Sequence, residues 1–297
     1  MSGPAAPRPP VPGRGRARRG SSIRDALDGA ITAIAAAGCE TPRLDAELLL
    51  ANVLGVPRER LLIDRELSVV GPAVRAFQDA VRRRAVLREP VAYILGERGF
   101  RQIVLHVDGR VLVPRPETEL LVEQGLALPQ GARVLDLGTG SGAVALALAQ
   151  ERPDLLISAS DVSEDALAVA HGNAQRLALD VEFLHGDLLA GLPDRFDAVF
   201  ANLPYVAERD RATLAPEILR HEPLGALFSG ADGLDAIRAL TLQLRERPTL
   251  GFIALELGVG QAAEVARLLG DAGFDDVARV RDLAGIERVL TGRRSSR

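Results

Sequence analysis

Lysine and tryptophan are absent from this 297-residue chain, and cysteine occurs once, at Cys39. A lone cysteine excludes a disulfide framework and a cysteine-based metal cluster, and fits a reducing cytoplasm. The four histidines, His106, His171, His185 and His221, show no ligand spacing, so no metal site is expected. Aromatic residues make up 3% of the chain, too few for a row of stacking platforms along single-stranded nucleic acid. No stretch approaches the roughly 18 uninterrupted apolar residues of a membrane span. The basic N-terminus lacks the apolar core of a signal peptide. The all-arginine basic complement is read as genomic composition bias, and no function is drawn from it.

An apolar fraction of 47% and a charged fraction of 26% are those of a globular protein. Net charge is −4, unevenly spread. Residues 1–20 hold five arginines and no acid, which leaves 31 basic against 40 acidic residues, about −9, for the rest. Such a body is a poor generic partner for nucleic-acid phosphates. The Pro/Gly/Arg-rich segment 1–20 is expected to be a disordered, solvated tail.

Residues 21–88 carry helical apolar spacing and read as a small helical domain. Ser22 is placed to cap a helix bearing Ile23, Leu27, Ile31 and Ile34 on one face and ending near Gly38. Thr41-Pro42 opens a second helix that reaches Gly55 through Leu44, Leu48, Leu49, Leu50 and Leu54. A short third helix spans 57–62. A fourth spans 74–87 and carries Arg82-Arg83-Arg84, expected on a solvated face. Glu89-Pro90 breaks the helix. Residues 89–113 then read as a β-hairpin linker turning at Asp108-Gly109.

From residue 114 to the C-terminus strands and helices alternate, with acids at Glu117 and Glu119 favouring the positive end of a helix over 119–126. Strands are predicted at 133–137, 155–160, 181–184, 197–201, 251–257, 277–281 and 286–290. Helices are predicted at 143–151, 164–177, 234–246 and 260–272. Continuous Val/Leu/Ile/Ala strands between helices indicate an α/β, Rossmann-like, mostly parallel sheet covered on both faces.

The first of these strands runs into Asp136-Leu137-Gly138-Thr139-Gly140-Ser141-Gly142. Its glycines permit positive φ and let a ligand approach the backbone, although a Gly-x-Gly-x-Gly pattern alone is weak evidence. Asp136, ahead of the glycines, is positioned for the amino-acid end of S-adenosylmethionine. Asp161 ends the next strand, at the height of ribose hydroxyls; its plainer reading is a helix cap. After the third strand, Asp187 can accept from an adenine amino group while Leu188 packs on the ring. The candidate cofactor residues are Asp136, Leu137, Gly138, Thr139, Gly140, Gly142, Asp161, Asp187, Leu188 and Asn202.

The apolar run 196–201 ends in Asn202-Leu203-Pro204-Tyr205. An Asn at a strand end, followed by a proline and an aromatic, builds a core badly but suits a planar –NH2 group. The Asn side-chain carbonyl and the next backbone carbonyl can each accept one N–H, and the Tyr ring can lie on its face. With the adenosyl loop 66 residues upstream, the two segments indicate methyl transfer to an amide or amine nitrogen. Phe100 and Arg115 are expected to line the mouth of the acceptor site. Glu222 and Glu256 are taken as structural acids.

These segments resemble the class I S-adenosylmethionine-dependent methyltransferases and, among them, the release-factor glutamine N5-methyltransferases (the HemK/PrmC family). The resemblance covers about residues 22–292 and includes Pro90–Gly96 with Phe100, Val113–Glu119, Asp136–Gly142, Asp161, Asp187 and Glu222-Pro223. It continues through Gly230 with Asp232-Gly233-Leu234, Glu256-Leu257-Gly258 with Gln261, and Asp282 with Gly285 and Arg288. It implies a seven-stranded sheet over residues 114–297, S-adenosylmethionine as cofactor, and the Gln of a Gly-Gly-Gln loop in class 1 peptide-chain release factors as substrate. A cytoplasmic monomer that binds neither membrane nor nucleic acid directly is expected. The chain departs from the family at one site position, Leu203, where the pattern has proline. Asn-Leu-Pro-Tyr is also similar to the tetrad of adenine-N6 RNA dimethyltransferases. A methyltransferase acting on adenine N6 is therefore an alternative, although it wants a basic groove and aromatics that this chain lacks. A non-catalytic binding protein of the same fold is opposed by the intact Asp136, Gly140, Asp161 and Asn202.

Overall fold

The computed structural model describes residues 21–295; the expected tail over 1–20 lies outside them. The chain divides into two compact units between Leu87 and Arg88. In the first, strand β1 (Ser21–Ser22) precedes helices α1 (Ile23–Ala36), α2 (Pro42–Leu54) and α3 (Arg58–Ile63), strand β2 (Ser68–Val69) and helix α4 (Pro72–Ala85). β1 and β2 pair antiparallel. The Ser22 hydroxyl caps α1 by accepting the Asp25 N–H at 3.0 Å. α1 buries Ile23, Leu27, Ala30 and Ile34. Ala30, not the expected Ile31, completes the face, because a 3.6-residue period steps through 23, 27, 30 and 34.

The arginine run corrects a second expectation. Arg84 is buried and its guanidinium donates to Asp45 of α2 at 2.6 Å. Arg84 lies seven residues beyond Phe77 and four beyond Ala80, so it shares their buried face. Asp45 also accepts the Thr41 hydroxyl at 2.8 Å. A buried pair satisfied in this way costs about 3–5 kcal/mol to break from one side.

The second unit begins with α5 (Val91–Leu95), β3 (Glu97–Phe100) and β4 (Ile103–His106). The hairpin turns at Arg101-Gln102, where Phe100 pairs with Ile103, and not at Asp108-Gly109. Arg101 adopts a φ of +47°, with its guanidinium on Glu151 at 2.5 and 2.7 Å and its N–H on Glu119 at 3.2 Å. Apolar alternation does continue through buried Val107. The backbone then turns again where the Val111 N–H meets the Asp108 carbonyl at 3.1 Å, so the Asp-Gly signal marks a turn after the hairpin. The buried Asn173 side chain holds β4 by accepting the His106 N–H at 2.7 Å and donating to the His106 carbonyl at 3.0 Å.

The remaining elements alternate. After α6 (Glu119–Gly125) come β5 (Arg133–Leu137), α7 (Ala143–Glu151), β6 (Leu156–Asp161), α8 (Glu164–Leu177), β7 (Glu182–His185) and β8 (Ala198–Ala201). α9 (Pro216–His221), α10 (Asp235–Arg245), β9 (Phe252–Glu256), α11 (Ala262–Asp271), β10 (Asp276–Arg281) and β11 (Glu287–Arg293) complete the unit. The seven strands β5–β11 form one sheet in the order β10-β11-β9-β8-β5-β6-β7. β5 to β9 pair in parallel, and β11 runs antiparallel to both its neighbours.

Alternate residues of the buried strands serve opposite faces. Val134, Ile157 and Phe200 pack with Leu121 of α6 and Leu146 of α7. Leu135, Val199 and Ile253 pack with Ile237 of α10 and Val265 of α11. Each such side chain contributes about 1.5–3 kcal/mol by leaving water. The chain order reverses at β5, whose carboxyl end, with that of β8, is where an open α/β sheet leaves a crevice for ligands.

Candidate active site

A cavity of about 600 Å³ opens at that crevice. On its β5 side, Gly138 (φ +72°) and Gly140 (φ +56°) turn the chain tightly. The N–H groups of Gly138 and Thr139 donate to the Ser160 carbonyl at 2.8 and 2.9 Å, folding the loop against β6. Asp136 is buried beneath it and accepts the Thr139 hydroxyl at 2.6 Å and the Ala145 N–H, in the first turn of α7, at 3.1 Å. Burial pushes its carboxyl up to about 6, against the pull of those two hydrogen bonds. Asp161 takes the Gly140 N–H on one oxygen and the Ser163 N–H on the other, both at 2.9 Å. The cap of α8 is Ser163, whose hydroxyl accepts the Ala166 N–H, so Asp161 braces the glycine loop and does not cap the helix.

Asp136, Leu137, Gly138, Thr139, Gly140, Asp161, Asp187 and Leu188 all line the cavity, as do Asn202, Leu203 and Pro204. Gly142 does not. At φ +85° it precedes α7, and a Cβ there would fall 2.8 Å from Leu146 Cδ1, so the turn itself requires the glycine. The residues gathered here suit an adenosyl ligand: an acid that a cationic amino group would ionise, a second acid beside the glycine turn, and a third next to Leu188.

On the β8 side, the Asn202 Nδ2 donates to the Thr118 hydroxyl at 3.1 Å, and no protein donor meets its Oδ1 among the described residues. The Leu203 side chain is buried against Gly138, where a Cβ would lie 3.4 Å from its Cδ2. Tyr205, the last residue of the tetrad, does not line the cavity. Its hydroxyl donates to Glu256 at 3.2 Å, and a Cβ on Gly258 would lie 3.2 Å from its ring. Burial and the neighbouring Glu256 hold the phenol well above its ordinary value. Gln261 donates to the Tyr205 carbonyl at 3.0 Å and accepts the Gly258 N–H at 2.8 Å.

Arg115 lines the cavity and pairs with buried Glu222 at 2.5 Å; Glu222 also accepts the Val113 N–H. Phe100 corrects an expectation. It is 2% exposed and packs in the core of the hairpin, away from the cavity, because its position in β3 faces inward. Thr118, Asn173 and Gln261 carry site geometry that the sequence does not single out. Thr118 sits in a motif valued for its acids, and Asn173 lies mid-helix with no local signal. Asn173 also donates to the Ser141 carbonyl at 2.8 Å. Among the described residues no His/Cys/Asp/Glu group could hold a metal ion, and no helix is long and apolar enough to cross a membrane.

Residues 25–96 match the family model described as PrmC N-terminal domain, and residues 116–229 the one described as Methyltransferase small domain. The release factor glutamine methyltransferase of Bordetella pertussis is 45% identical over 257 residues, 84% of this chain and 94% of that protein. Those of Rhodospirillum rubrum and Deinococcus radiodurans are each 41% identical, over 90% and 92% of this chain and 84% and 99% of their own lengths. Among solved structures, the hMettl16 catalytic domain in complex with a MAT2A 3'UTR hairpin aligns at a TM-score of 0.52 and 17% identity. The alignment covers 75% of this chain and 82% of that one, and shows a shared fold.

Proposed function

This chain belongs to the release factor glutamine methyltransferase family, and on that premise we propose that it methylates the side-chain N5 of the Gln in the Gly-Gly-Gln loop of class 1 peptide-chain release factors. The methyl group comes from S-adenosylmethionine, which when bound supplies an electrophilic methyl on a cationic sulfur. The observation that carries this reading is the bend at Asn202, whose amide nitrogen is tied to Thr118 and whose oxygen remains for a donor.

Asp136, Gly138, Gly140, Asp161, Asp187 and Leu188 hold the cofactor in this reading, with Asp136 ionised beside its amino group. Asn202 Oδ1 and the Leu203 carbonyl accept the two N–H bonds of the substrate carboxamide and aim its nitrogen. An amide nitrogen is a weak nucleophile, so positioning carries the rate; it can supply roughly 7–11 kcal/mol at best. The methylated amide is strongly acidic and releases its proton to solvent without a dedicated base. Leu203 supports the bend as the family's proline does, since the acceptor is a backbone carbonyl and Pro204 keeps residue 203 extended. The Tyr205 contacts with Glu256 and Gly258 favour a role in holding the bend over one in covering the amide. Arg115, which lines the cavity, serves the substrate mouth in this reading. We place the reaction in the cytoplasm, on a monomeric enzyme.

Incubation with tritiated cofactor and purified release factor tests this. Label is expected in the factor, and not in a factor whose Gly-Gly-Gln glutamine is replaced. Label in RNA and none in the factor would overturn the substrate assignment.

A further inference from the structure

The cavity wall that follows β7 is a turn whose own residues are poorly suited to form it. Asp187 and Leu188 line the cavity. Leu188 sits at φ +54°, in the left-handed region that a leucine rarely adopts. The Ala190 N–H closes the turn on the Asp187 carbonyl at 3.0 Å. A Cβ on Gly186 would fall 2.9 Å from Leu192 Cδ2, so the loop folds back tightly on its own start.

Two side chains from one helix end hold this turn. Gln243 of α10 accepts the Leu189 N–H on Oε1 at 2.7 Å. Arg247, just past the end of α10, donates from Nη2 to the Leu189 carbonyl at 2.9 Å and to the Leu192 carbonyl at 2.8 Å. Arg247 is itself braced: Nη1 lies 3.6 Å from Asp194, and its carbonyl accepts from Arg294. Both main-chain groups of Leu189, the residue after the left-handed one, are therefore gripped from outside the loop. Ala236, Ala239 and Gln243 share one stripe of α10, spaced by three and four residues, and Arg247 extends it. The two alanines line the cavity, while Gln243 and Arg247 clamp its wall.

We propose that Gln243 and Arg247 are positioning residues for the nucleobase: by fixing the main chain after Leu188 they hold Asp187 and Leu188 against the cavity, and so let the site read the adenine amino group. This rests on the reading that Asp187 accepts from that amino group while Leu188 packs on the ring.

The ψ angle of a residue is set by the orientation of the peptide that follows it. At Leu188 that peptide carries the Leu189 N–H, which Gln243 holds. Leu189 and Leu192 are buried in the cluster that contains Leu240 and Leu244, but apolar burial is non-directional and does not orient a peptide. The two clamps supply the direction, and they keep the turn from relaxing to the backbone geometry that leucine prefers. An ionised Asp187 is an acceptor only, so it rewards a base that offers an N–H at that point. Asp187 is exposed; once the turn relaxes, its carboxylate is free to face water and the reward is lost.

The test is isothermal titration of the full-length protein with two ligands: S-adenosylhomocysteine, and its analogue with hydrogen in place of the adenine amino group. The wild-type protein should prefer the amino ligand by about thirtyfold, the worth of one charge-assisted hydrogen bond. Gln243→Leu, which removes the acceptor for Leu189, should reduce that preference to about threefold or less. Gln243→Glu keeps an acceptor and should stay within about twofold of the wild-type preference. Arg247→Met should reduce the preference as Gln243→Leu does, and it decides the matter alone if Gln243→Leu does not fold. A purely structural role would weaken both ligands equally and leave their ratio unchanged; a wild-type ratio in Gln243→Leu or in Arg247→Met overturns the proposal. A wild-type protein that binds the two ligands equally defeats the reading of Asp187 and the proposal with it. A wild-type protein that binds neither defeats the cofactor assignment itself.

Discussion

The two ends of the cavity are built by different means. At the glycine-loop end, acids at the ends of β5 and β6 take hydrogen bonds from backbone N–H groups: Gly140 and Ser163 to Asp161, Ala145 to Asp136. At the acceptor end, side chains from distant parts of the chain hold the bend: Thr118 on Asn202, Glu256 and Gln261 on Tyr205. Backbone donors are supplied by the fold whatever residues surround them. Side-chain clamps exist only where the tertiary structure delivers them. The cofactor end should therefore fail in affinity, and the acceptor end in turnover.

The largest effect expected from this contrast is at Asn202. Asn202→Ala should lower kcat by about a thousandfold with cofactor affinity nearly intact, read by isothermal titration and label transfer; equal loss of both would break the contrast. Asp161→Ala is the mirror test. Losing two charge-assisted hydrogen bonds should weaken cofactor binding by roughly a hundredfold, while kcat at saturating cofactor recovers most of the wild-type value.

A third test uses protons. Asp136 has a carboxyl raised to about 6 in the folded protein, and a cationic ligand group binds its ionised form. Protons therefore compete with the ligand below that value and cease to above it. Cofactor affinity should fall about tenfold from pH 7 to pH 5, and Asp136→Asn should bind weakly at both. The smallest effect is expected at Leu203. Leu203→Pro restores rigidity ahead of Pro204 and should keep or raise kcat, by about fivefold at most for roughly 1 kcal/mol of preorganisation. Complete inactivation would mean that the Leu203 carbonyl is not the acceptor.

The same contrast explains what could be read in advance. All seven strands of the large sheet and the glycine loop were legible, because apolar runs, positive-φ glycines and strand-end acids are local signals. Arg84 was misread because its partner Asp45 lies 39 residues away. The hairpin turn was misplaced because Arg101 holds a left-handed conformation stabilised by Glu151, 50 residues on, while Asp108-Gly109 offered a stronger local turn signal. Phe100 was assigned to the mouth because its segment was recognised without its facing direction. The roles of Thr118 and Gln261 are not legible in sequence, since their partners Asn202 and Tyr205 become neighbours only in the folded chain.

Asn173 joins these distant pieces most directly. One carboxamide grips both main-chain groups of His106 and the carbonyl of Ser141. Cutting the chain after the hairpin, at residue 114, would strip Asn173 of its strand and slacken the glycine turn it also holds. Anyone trimming this protein to a minimal catalytic fragment must therefore start upstream of Glu97, however complete the sheet looks without it.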